Sequence, residues 1–76
     1  MNTRNVMRNI RALVKQTNFT HREIGIKMGY PPASARQSVA QFLKTENPTL
    51  AVVVRFADAM KVSLEVLMQE EKIRVR

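Results

Sequence analysis

The placing of its helix breakers constrains this chain most. Gly25, Gly29, Pro31, Pro32 and Pro48 are the only glycines and prolines in 76 residues. Proline lacks a backbone donor and disfavours a helical residue before it. A glycine at the end of an apolar-periodic stretch, as Gly29 is, closes a helix in the left-handed conformation. The stretches between these breaks are short and place apolar residues at helical spacing. They predict an all-α fold, a compact domain of five short helices.

Residues 4–17 carry Val6, Ile10, Leu13 and Val14 on one helical face and Arg4, Arg8, Arg11 and Lys15 on another. Thr20 and Glu23 have capping-box spacing, which predicts helix 2 over about 21–28. Ile24 and Met28 then face inward, and Gly25 between them leaves room for a second helix. Tyr30, Pro31, Pro32 and Ala33 interrupt the pattern. Ser34 and Gln37 repeat the capping-box spacing, so the favoured helix 3 runs over about 35–44, with Val39, Phe42 and Leu43 inward. The alternative starts it at Pro32, which the first helical turn tolerates. In that case Ala33 and Ser34 stand first in the helix. Thr49 caps helix 4, about 50–60, burying Leu50, Val53, Phe56, Ala57 and Met60. Ser63 caps helix 5, about 64–70, turning Leu64 and Leu67 inward, with Met68 open between the core and the outer face. Residues 1–70 thus read as one domain. Residues 71–76 read as a tail, either a short strand or a frayed end.

The charge is unevenly spread. The chain carries +7 with His neutral. Residues 1–45 hold eight basic side chains and a single acid, Glu23, whereas residues 46–76 hold five of each sign. All the net charge therefore sits in the first 45 residues, and a polyanionic partner is expected there. The chain has no cysteine, which excludes disulfides, a thiolate zinc site and thiol chemistry. One histidine and no clustered carboxylate pair argue against an enzyme, and no metal or cofactor is expected. No apolar run approaches a membrane span, and Met1 to Val6 lack the core of a signal peptide. A hydrophobic fraction of 45% is too high for a disordered basic tail. A soluble cytoplasmic domain is the expectation.

Residues from about Ile10 to Met68 resemble the XRE-type helix-turn-helix family, the DNA-binding domains of lambdoid phage repressors and Cro proteins. Five segments carry the resemblance: Thr20 to Gly25 at the start of helix 2, Met28 and Gly29 at its end, Arg36 to Phe42, Asn47 to Leu50, and Val62 to Leu67. Three departures stand out. The stretch from Gly29 to Arg36 is about four residues longer than the usual turn. Val14 and Leu43 are apolar where many members pair an Arg with a Glu. Lys61 stands where the family usually has Gly.

The resemblance implies a repressor-like domain that binds double-stranded DNA sequence-specifically and so associates with the nucleoid. It implies a transcriptional repressor acting as a dimer on a near-palindromic operator. Arg36, Gln37 and Gln41 would read bases, since Arg suits guanine and Gln suits adenine in the major groove. Ser38 would lie near a phosphate or base. Thr20 and His21, at the start of helix 2, would meet the DNA backbone, as would Lys44, Asn47 and Thr49 beyond helix 3. Arg8 and Arg11 would assist from helix 1. Val66, Met68, Ile73 and Val75 exceed what core closure requires, and are the expected dimer surface. A second reading is a protein-interaction module, such as an antitoxin that neutralises a toxin through the neutral half. A third is a non-specific nucleic-acid coat.

Overall fold

The computed structural model describes residues 3–69; Gly29, Pro31, Pro32 and Pro48 lie at or beside helix ends, whereas Gly25 is buried inside a helix. The helices are α1 (Thr3–Gln16), α2 (His21–Lys27), α3 (Pro32–Leu43), α4 (Leu50–Met60) and α5 (Leu64–Leu67). No strand occurs among the described residues. The tail over 71–76, with Ile73 and Val75, lies outside them.

Three helices start on the predicted caps. The Thr20 hydroxyl accepts from the Glu23 N–H at 3.1 Å, and the Thr20 N–H donates to Glu23 Oε1 at 2.9 Å. Thr49 accepts from the Val52 N–H at 3.3 Å, and Ser63 from the Val66 N–H at 3.4 Å. Each satisfies an amide that has no partner inside its helix. Gly29 closes α2 with φ at 96°. Its N–H donates to Ile26 O and that of Tyr30 to Gly25 O, both at 3.0 Å, the Schellman pattern. Lys61 does the same for α4 at φ 56° and ψ 41°, with the Val62 N–H donating to Ala57 O at 3.0 Å.

Helix 3 departs from the favoured expectation. It begins at Pro32 rather than near residue 35, so the extra residues form a helical turn and not a loop. Ser34 is no cap; its hydroxyl donates to Pro31 O at 3.4 Å within the first turn. Proline's preset φ and missing N–H cost nothing at the first helical position. Ala35, buried on this helix, packs closely against α2. A Cβ built on Gly25 would fall 2.5 Å from Ala35 O, so only glycine permits this approach.

The core joins all five helices through Val6, Met7, Ile10, Ile24, Met28, Val39, Phe42, Val53, Phe56 and Leu67. The Phe42 and Phe56 rings meet at 5.8 Å, tilted by 49°, a favourable aromatic arrangement. Leu50, expected in the core, stays outside, and Met68 takes the outer of its two alternatives. Leu50 is 56% exposed, because it stands at the first position of α4, ahead of the packed residues Val52 and Val53. Met68 is 42% exposed, because α5 stops at Leu67 rather than near residue 70.

Asn9 ends α5 from across the molecule. It is fully buried on α1, and its Nδ2 donates to Leu67 O at 3.0 Å and to Gln69 O at 2.8 Å. Arg8 Nη2 also donates to Gln69 O, at 3.3 Å. These bonds satisfy carbonyls left open at a helix C-terminus.

Candidate nucleic-acid interface

The rotation of α3 decides which of its side chains face outward. Ala35, Val39 and Phe42 are buried on the inward stripe. Ala33, Arg36, Gln37 and Gln41 are exposed on the other side, as helical periodicity requires. Since α3 starts at Pro32, Ala33 lies in its first turn and is exposed. Ser34 is half-buried and tied to Pro31. Of the two residues the longer helix was expected to advance, only Ala33 is thus fully outward.

Six of the expected site residues divide between two neighbouring surfaces. Ala33, Arg36, Gln37 and Ala40 line one shallow hollow on α3. Ser38, Gln41, Asn47 and Thr49 line a second groove, together with Tyr30, Phe42 and Pro48, between α3, the following loop and the start of α4. Gln41 is thereby separated from Arg36 and Gln37, although it follows Gln37 by one helical turn. Lys44 is exposed at the C-terminal end of α3. Thr20 and His21 are exposed at the start of α2.

The two helix starts offered for phosphate differ in their electrostatics. At α2, hydrogen bonds from the Thr20 N–H and the Thr20 hydroxyl, then the charge of Lys27, hold the Glu23 carboxyl below the ordinary glutamate range. The resulting carboxylate stands at the positive end of the helix dipole and opposes a second anion there. At α4 the first turn carries no acid. Thr49 caps it, and the groove opens directly onto it. The start of α4 is therefore the more favourable of the two for a phosphate.

Arg8 and Arg11 also act within the fold. Arg11 Nε donates to Leu43 O at 2.8 Å, and its Nη2 pairs with Glu46 Oε1 at 3.4 Å. Arg11 thus fastens the end of α3 to α1. Val14 and Leu43 pack apolar against the core. An Arg–Glu bridge does span from α1 to the region after α3, but it leaves from Arg11, one turn before Val14.

Arg55 was not singled out by the sequence. Its guanidinium carbon lies 5.7 Å from the centre of the Tyr30 ring, a cation–π contact beside the groove. Its only sequence signal is a charge on the exposed face of an apolar helix. Asn9 left a clearer one, a poor helix former placed between Val6 and Leu13 on the inward stripe.

On the neutral half, Val66 is half-buried, while Leu50, Val54 and Met68 are exposed. Among the described residues no group of His, Cys, Asp or Glu could hold a metal ion. No described helix is long and apolar enough to cross a membrane. Compared with known proteins, the chain matches no protein-family model, no curated protein and no solved structure.

Proposed function

We propose that this protein is a sequence-specific double-stranded DNA-binding transcriptional regulator of the XRE helix-turn-helix type, most simply a repressor that occupies its operator. The observation that carries the reading is the outward stripe of α3. It presents a guanidinium and an amide, Arg36 and Gln37, on a helix whose opposite stripe is locked in the core. The major groove admits one α-helix, and the first turns of the second helix of such a motif meet base edges there. Arg36 and Gln37 read bases. Gln41 reads the edge of the site, where Ser38 joins the backbone groove. Asn47, Thr49 and the start of α4 hold one phosphate, and Lys44 adds charge beside it. Thr20 and His21 contribute more weakly at α2.

Two copies bind a near-palindrome, joined through the neutral half at Val66 and Met68 with Ile73 and Val75 from the tail. Half-sites one turn apart place the two recognition helices about 34 Å from one another. The test is a selection from random duplexes at physiological salt. Enrichment of a near-palindrome supports the proposal. A flat pool with measurable binding turns the reading to non-specific coating. A flat pool without binding turns it to a protein partner such as a toxin.

A further inference from the structure

The hollow on α3 holds more than the two polar readers. Its lining is Ala33, Arg36, Gln37 and Ala40, four residues that fall on one helical stripe. Two of them are bare methyls, and Ala33, the more exposed, lies one turn before Gln37. A reader that used hydrogen bonds alone would have no use for a methyl at that position. In the major groove a thymine offers a C5-methyl, which an alanine side chain meets by apolar contact. Adenine is the base that an amide such as Gln37 pairs with in two-point fashion, and each adenine brings a thymine with it. An A·T pair therefore presents its amide partner and its methyl to this one stripe. Neither the Arg36 nor the Gln37 side chain is drawn into a hydrogen bond among the described residues, so both flank the methyls undiverted.

We propose that Ala33 is a specificity-determining residue whose methyl packs against the C5-methyl of a thymine. The inference rests on the DNA-reading role proposed above for α3. Residues 33 and 37 are about 6 Å apart along the helix axis, somewhat less than two base-pair steps of about 3.4 Å. The thymine therefore falls within two base pairs of the position that Gln37 reads. The extra first turn of α3 is what makes the contact available. In a helix beginning at residue 35, Ala33 would belong to a loop.

The experiment uses the duplex enriched from the random pool, with each thymine replaced in turn by uracil, which lacks only the methyl. For the wild-type chain, one uracil per half-site should weaken binding about fourfold, as expected for exposing one methyl group. That position should lie within two base pairs of the one at which Gln37→Ala relaxes base preference. Ala33→Gly should bind the thymine and uracil duplexes alike, and its melting curve checks that it is folded. If no uracil weakens the wild-type chain, or if Ala33→Gly keeps the preference for thymine, the inference is overturned while the DNA-reading role stands. A flat pool overturns both.

Discussion

Lys61 holds a conformation that a side chain pays for. At φ 56° it is the one described non-glycine residue with positive φ, in a region where Cβ crowds the following carbonyl by about 1–2 kcal/mol. Glycine removes that clash and loses about 0.5–1 kcal/mol more backbone entropy on folding. Lys61→Gly should therefore stabilise the chain by about 0.5–1 kcal/mol, read as a higher melting temperature. An unchanged or lower value would mean that the lysine is not strained there. Glu23 carries the other prediction at this scale. Its folded pKa is lowered by the Thr20 N–H and hydroxyl. The contribution is thus complete above the unfolded carboxylate range and is lost as pH falls through the folded value. Glu23→Gln keeps the acceptor and removes the charge. The stability advantage of wild type over this variant should shrink as pH falls through and below the ordinary glutamate range, followed by denaturant melts at each pH.

At the scale of elements, α3 and α1 answer to different forces. α3 is oriented by its packed stripe and displays Arg36 and Gln37 to solvent as a consequence. Arg36→Ala should cost about 1–3 kcal/mol at the selected site and relax preference at one position. Lys44→Ala should weaken all duplexes alike and reduce the salt slope by about one. Titrations of the selected and a scrambled duplex at several salt concentrations separate the two outcomes. If the Arg36 change leaves specific binding intact, α3 is not the reader. α1 instead acts as a brace, since Arg11 holds the end of α3 while Asn9 closes α5. Asn9→Ala leaves the Leu67 carbonyl buried without its donor, and should cost about 1–3 kcal/mol. A urea midpoint that does not move would show that α5 closes without α1.

At the scale of the whole molecule, the division of charge acquires a spatial meaning under the proposed function. The basic part contains α1 to α3, and the neutral part supplies α4 and α5. With a longest extent of 34 Å, one copy covers a single half-site of about one helical turn. A dimer through Val66 and Met68 should sediment as two copies. Met68→Lys, an exposed position, should return it to one copy that keeps its helical circular dichroism. A wild-type chain that sediments as a monomer at high concentration would remove this surface.

What the sequence determined by itself was local. Thr20 with Glu23, Thr49 and Ser63 each cap a helix through bonds spanning three residues, and Gly29 ends one through its own backbone freedom. Such signals act within one turn and so can be read along the chain. The inward positions Ile24, Met28, Val39, Phe42, Val53 and Phe56 were legible for a related reason, because helical spacing alone groups them. The outward placement of Arg36 and Gln37 follows from the same periodicity. The tertiary structure decided what depends on partners distant in sequence. Ser34 offered a good local cap, but the contact of Ala35 with Gly25 accompanies the longer helix from Pro32. Leu50 has the spacing of a core residue and yet lies mostly exposed. Asn9 is polar on an apolar stripe, and only the carbonyls of α5, some 58 residues away, account for it. The grouping of Ser38 and Gln41 with Asn47 and Thr49 is likewise made by the packing of α4 against its neighbours, which no spacing within a single helix encodes.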